Sequence, residues 1–126
     1  MNNIFIDKAV KTPLISFDFD KGVFKIEGVS VPENTVEFYN PIVYALKEYV
    51  ENPKDKTVFD IKLEYFNTST SVILLNIFRV LSNLSKDKLT INWYYEEEDL
   101  EMLEAGEDYG NMVNATFNII AVDSFD

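Results

Sequence analysis

TVFDIKLEYFNTSTSVILLNIFRVL, residues 57–81, carries two periodicities back to back. Phe59, Ile61, Leu63 and Tyr65 alternate with Asp60, Lys62 and Glu64. That is the period of a strand with one face in a core and one in water, and it predicts a strand from Thr57 to Phe66. The polar cluster Asn67-Thr68-Ser69-Thr70-Ser71 interrupts it. Val72 to Leu81 then places apolar residues on most of a helical surface and predicts a second element of the other kind.

The same reading extends in both directions. Upstream, Asn40-Pro41 has the form of an N-cap and first helical residue, and Ile42, Leu46, Tyr49 and Val50 share one helical face. Asn52-Pro53 ends that helix. Ser30-Val31-Pro32-Glu33 has capping-box spacing and predicts a separate helical turn reaching about Tyr39. Leu14–Phe19 and Val23–Gly28 alternate on either side of Asp20-Lys21-Gly22, as a β-hairpin does. A further short strand is expected near Ile4 and Ile6. Downstream, Lys86-Asp87-Lys88 reads as a loop and Leu89, Ile91, Trp93 and Tyr95 mark a strand. Glu96–Asp108 is expected to form a short acidic helix carrying Leu100 and Leu103, with Gly106 near its end. Thr116–Val122 is a last strand. Clean alternation in four strands implies one polar sheet face, because strands covered on both faces read as continuous apolar runs. The predicted fold is α/β in the two-layer α+β sense: a mixed sheet with the main helices on one side.

The 126 residues are 47% hydrophobic and 26% charged, enough to build a core, and no repeat or linker divides them. One domain, residues 1–126, is expected. The chain has no cysteine and no histidine. This removes disulfides, thiolates, the commonest general base and the commonest transition-metal ligand. The expectation is a protein that is not an enzyme and needs no cofactor or metal. No signal-peptide pattern and no run of about 20 apolar residues is visible, so the expected compartment is the cytoplasm.

The net charge of -11 argues against nucleic-acid and anionic-membrane partners. The charge is also local. Glu96, Glu97, Glu98, Asp99, Glu101, Glu104, Glu107 and Asp108 have no base among them, and 14 acids face 11 bases elsewhere. A solvated helix face is the usual fate of such a run; a surface for a basic partner is the functional alternative. The loop pattern for calcium is absent, and no phosphate-cradling glycine motif occurs.

The hydroxyls at 68–71 admit two readings. Their oxygens can cap the N–H groups at a helix start. A helix N-terminus also tolerates a phosphoryl group, which adds about -1.5 to -2 charges.

Five stretches in one order carry a family resemblance. They are Thr12-Pro13 leading into Ile15-Ser16-Phe17-Asp18; Gly28-Val29-Ser30-Val31-Pro32-Glu33-Asn34; Phe38-Tyr39-Asn40-Pro41-Ile42; Leu63-Glu64-Tyr65-Phe66-Asn67-Thr68-Ser69; and Asn92-Trp93-Tyr94-Tyr95-Glu96-Glu97 with Met102-Leu103-Glu104-Ala105-Gly106-Glu107-Asp108. The chain resembles the SiaC-type regulatory phosphoproteins of bacteria, which look like a variant of the STAS domain of anti-sigma-factor antagonists. The resemblance implies a partner switch. A cognate protein kinase adds phosphate, a PP2C-like phosphatase removes it, and the unphosphorylated form binds an effector such as a diguanylate cyclase, raising cyclic di-GMP and altering biofilm growth. The implied phosphorylation site is Thr68, with Ser69, Thr70 and Ser71 as neighbouring alternatives. Many relatives have a lysine directly after the hydroxyls where this chain has Val72, a difference that bears on kinase recognition. Asn67, Ser69, Thr70, Glu96, Glu97, Glu98 and Asp99 are the expected partner-binding residues. The alternative function is a constitutive acidic scaffold for a basic partner; a carboxylate-dependent or metal-dependent hydrolase ranks below both.

Overall fold

A computed structural model describes residues 1–126. Six strands form one sheet in the order of the chain: β1 (Ile4–Ile6), β2 (Leu14–Asp18), β3 (Val23–Ser30), β4 (Thr57–Phe66), β5 (Leu89–Glu96) and β6 (Thr116–Val122). The first three pair antiparallel, and β3 to β6 run parallel. Parallel neighbours need long connections, and three helices supply them. These are α1 (Thr35–Tyr49), α2 (Thr68–Leu81) and α3 (Leu100–Met112). The predicted strand at 57–66 is found with those bounds, and the short N-terminal strand is present.

The inward positions of the strands are Ile15, Phe17, Phe24, Ile26, Phe59, Ile61, Leu63, Ile91 and Trp93, all buried. The helices press Tyr39, Ile42, Leu46, Leu74, Ile77 and Phe78 onto them in one cluster. The other sheet face carries Lys25, Asp60, Asn92 and Asn118 in one row, joined by Asn92 Nδ2–H to Asp60 Oδ1 (2.8 Å) and Asn118 Nδ2–H to Asn92 Oδ1 (3.0 Å). This is the mixed sheet with helices on one side that strand alternation implies.

Three helical details differ from expectation. First, α1 is one continuous helix, capped by Asn34, whose Oδ1 accepts from Glu37 N–H (3.1 Å). Pro41 lies inside it on the exposed side. It removes a single helical donor, while Tyr39, Ile42, Leu46 and Tyr49 bury one unbroken stripe, so packing carries the helix past the proline. Ser30 is then no cap; it ends β3. Second, α2 begins at Thr68, within the polar cluster, instead of at Val72. Third, Glu96 closes β5 and the acidic helix starts only at Leu100. Leu100 is exposed, and Gly106 sits mid-helix against Trp93 rather than near the end. Lys86–Lys88 forms a 3₁₀ turn.

One irregularity positions the candidate site. Gly28, at φ +116°, sits where the β3–β4 register shifts. Few side chains tolerate that conformation. Beyond the shift Ser30 lies opposite Phe66, and its carbonyl accepts Asn67 N–H at 3.1 Å. The end of β3 is thereby tied to the start of α2.

Candidate functional site

Asn67 is the N-cap of α2. Its Oδ1 accepts from Thr70 N–H (2.9 Å) and from the Ser69 hydroxyl (3.1 Å), and its carbonyl takes Ser71 N–H (3.0 Å). The amides of Thr68 and Ser69 precede the first intrahelical bond and stay available, as at any helix start.

The four hydroxyls meet different environments. Thr70 is fully buried; its hydroxyl pairs with Ser30 Oγ (2.9 Å) and donates to the Ser30 carbonyl (3.2 Å). Ser30 Oγ in turn pairs with Tyr39 OH at 2.6 Å. Burial pushes the Tyr39 phenol up to about 12, against a smaller opposite effect of the Ser30 bond. Ser69 is exposed but its hydroxyl is engaged twice, with Asn67 and with Thr35 Oγ1 on α1 (2.7 Å). Ser71 is half-buried and donates to the Thr68 carbonyl (2.5 Å). Thr68 is exposed, and its hydroxyl makes no hydrogen bond. The sequence shows a run of interchangeable hydroxyls; the fold turns Thr70 into core, Ser69 into a clasp between helices, and leaves Thr68 free.

Beside them runs a groove between α2 and α3. Phe66, Val72, Leu75, Ala105, Tyr109 and Met112 line it, with Ser71 and Asp108 at its margin. Val72 and Met112 are exposed. Tyr109 OH donates to the Ser71 carbonyl (2.9 Å) and stitches the helices together; burial raises this phenol also to about 12. Val72 follows Thr68 by four residues, so the two side chains share a helix face. The surplus of apolar residues on α2 already admits an exposed edge serving as a partner groove or ridge, but α3 as the groove's second wall depends on tertiary packing.

Of the acidic residues, Glu96, Glu97, Glu98 and Asp99 gather with Asp123 around a separate hollow. Asp123 beside Glu97 raises the Glu97 carboxyl pKa above its usual range. Asp99 caps α3 through Met102 N–H (3.1 Å) and borders a shallow hollow with Tyr65 and Phe66, which adjoins the groove. The hydroxyl and acidic groups thus lie toward the same end of the sheet without touching. None of the acids from 96 to 108 forms a salt bridge. No three carboxylates come together as a metal-ligand set, and no helix is long and apolar enough to cross a membrane.

The class this defines is a small α+β protein with a free hydroxyl on a helix start, beside an apolar groove that is open rather than enclosed. The chain belongs to the SiaC family of regulatory phosphoproteins, whose family model matches residues 6–122. An uncharacterized protein of Pseudomonas aeruginosa (strain UCBPP-PA14) is 23% identical over 98% of this chain and 99% of its own length. Among solved structures, SiaC of Pseudomonas aeruginosa superposes with a TM-score of 0.84 at 22% identity, covering 97% of this chain and all of that one. A chain in the structure of the diguanylate cyclase SiaD in complex with its activator SiaC, from the same organism, gives 0.84 at 22% identity over 94% and 99% of the two chains.

Proposed function

We propose that this protein is a phosphorylation-switched binding regulator of the cytoplasm, acting as one unit over residues 1–126, and that Thr68 is the switch. The observation carrying this reading is the contrast within the cluster. Thr68 alone is exposed with a hydroxyl free of hydrogen bonds, at the first residue of α2 in a family of regulatory phosphoproteins. A phosphate there meets the unpaired amides of Thr68 and Ser69 and the positive end of the helix, so the domain keeps its fold. What changes is the surface. A dianion one turn from Val72 must lose its water when a partner covers the helix start, and that desolvation opposes binding.

The effector is a diguanylate cyclase, as for the SiaC of the SiaD complex, and a cognate protein kinase and a PP2C-like phosphatase set the phosphate level. The test has two parts. Phosphosite mapping of the protein from its own cells should find phosphate on Thr68, with occupancy that changes with growth conditions. Binding to the organism's diguanylate cyclases should survive Thr68→Ala and resist the kinase, whereas Thr68→Glu should weaken it. Normal binding by Thr68→Ala that the kinase still abolishes would move the switch elsewhere.

A second reading rests on the unpaired acids. If the protein is a constitutive scaffold for a basic partner, charge reversal at Glu97 and Glu98 removes binding, added salt weakens it steeply, and Thr68 substitutions leave it unchanged.

A further inference from the structure

The two edges of the sheet differ. β1 is three residues long and is followed at once by Asp7 and Lys8, which blunts it against pairing. β6 is seven residues, Thr-Phe-Asn-Ile-Ile-Ala-Val, with no charge, no proline and no bulge. No residue from Tyr109 to Val122 is charged, in a chain of net charge -11. No further strand pairs with the outer side of β6. Soluble proteins protect such edges, and one left long, uncharged and rich in β-branched residues is a surface for strand addition.

We infer that β6 pairs antiparallel with β6 of a second copy of this chain, joining two sheets edge to edge across a twofold axis at Ile119. Three observations select that occupant and geometry. The first is backbone direction. Val122 gives its carbonyl to Glu97 N–H on the β5 side (2.9 Å). Backbone groups alternate along a strand, so Phe117, Ile119 and Ala121 turn both N–H and C=O outward. A twofold axis at Ile119 pairs Ile119 with itself and Phe117 with Ala121, forming about six ladder hydrogen bonds.

The second is side-chain matching. Phe117, Ile119 and Ala121 lie opposite Ile91, Trp93 and Tyr95 of β5, on the helix-bearing face. The antiparallel register sets this apolar row against its own copy. The third is charge. Asp123 directly follows β6. Parallel pairing would place Asp123 beside Asp123, whereas antiparallel pairing sets it near Ala115 of the other copy, where no acid lies. An edge without charge is also where a second copy, itself at -11, meets least repulsion.

The experiment is sedimentation of the full chain across a wide concentration range, at low and high salt. The expected weight-average mass rises from 14.6 kDa toward twice that value. It rises at lower concentration when salt is added, because screening relieves repulsion between two acidic copies. Ala121→Pro removes an outward N–H that no β5 bond uses, and Ala121→Lys puts two cations into the pairing. Each should hold the mass at 14.6 kDa over the same range with an unchanged circular-dichroism spectrum. Thr68→Ala and Thr68→Glu should leave self-association as in the wild type. A wild type that stays at 14.6 kDa throughout, or a dimer that both Ala121 variants leave intact, overturns the inference.

Discussion

Gly106 shows how one residue is decided by another far away in sequence. A Cβ there would lie 2.5 Å from Trp93 Cδ1, and Trp93 is fully buried with its indole N–H held by the Met102 carbonyl at 3.0 Å. Gly106→Ala therefore forces either the ring or α3 to move, and urea unfolding should show a loss of about 1–3 kcal/mol. In sequence a glycine after an acidic run reads as a helix stop; its actual use, room for a ring on β5, leaves no local signal. Thr68 is the opposite case. With an exposed hydroxyl and no hydrogen bond on it to lose, Thr68→Ala should stay within about 0.5 kcal/mol of the wild type. Asn67→Ala, which removes the cap, should lose about 1 kcal/mol in the same measurement. That this stretch caps a helix start was legible from its residue types. The division of labour within it was not, because it depends on Ser30 and Thr35, more than thirty positions upstream.

At the scale of elements, the seam between α1, β3 and the start of α2 is polar. Tyr39, Ser30 and Thr70 form a buried chain of hydroxyls, with Thr35–Ser69 beside it. Ser30→Ala strips Tyr39 of its partner and Thr70 of one of its two, and should cost about 1–3 kcal/mol, since a buried hydroxyl left without a bond keeps its full desolvation penalty. Tyr39→Phe leaves Ser30 its bond to Thr70, so a smaller loss is expected. A double-mutant cycle between the two should reveal coupling, because the residues share one network. Strands were the legible elements here: alternation is local, and β4 could be bounded to the residue. Helix starts were less so. Pro41 suggested a boundary that packing overrides, and the polar cluster disguised the first turn of α2 as a loop.

For the molecule as a whole, alkaline pH is the sensitive direction. The phenols of Tyr39 and Tyr109 are both raised from 10.0 to about 12 by burial. The folded protein therefore holds protons that the unfolded chain releases above pH 10. Their contribution to stability is complete below that pH and is lost as pH rises toward 12. Phenolate absorbance and circular dichroism followed together should show the last tyrosines ionising as the structure is lost; in Tyr39→Phe the loss should begin later. The two-layer architecture was readable from sequence because four of the strands declare an inner face by alternation. The open groove was not, because it appears only when α3 is laid beside α2.

The order of the sheet also bears on how the chain assembles during synthesis. Every strand lies beside the one made just before it, so no strand waits for a distant segment to find its place. The sheet can extend one strand at a time as the ribosome delivers it, each new helix closing over the strands already docked. Unfinished apolar surface is then confined to a single advancing margin, and loop-closure entropy is met in small instalments at each step. Refolding from denaturant, by contrast, presents all six strands at once and gives β4 and β5, whose Phe59, Ile61, Leu63, Leu89, Ile91 and Trp93 are all buried in the finished fold, the chance to pair out of turn.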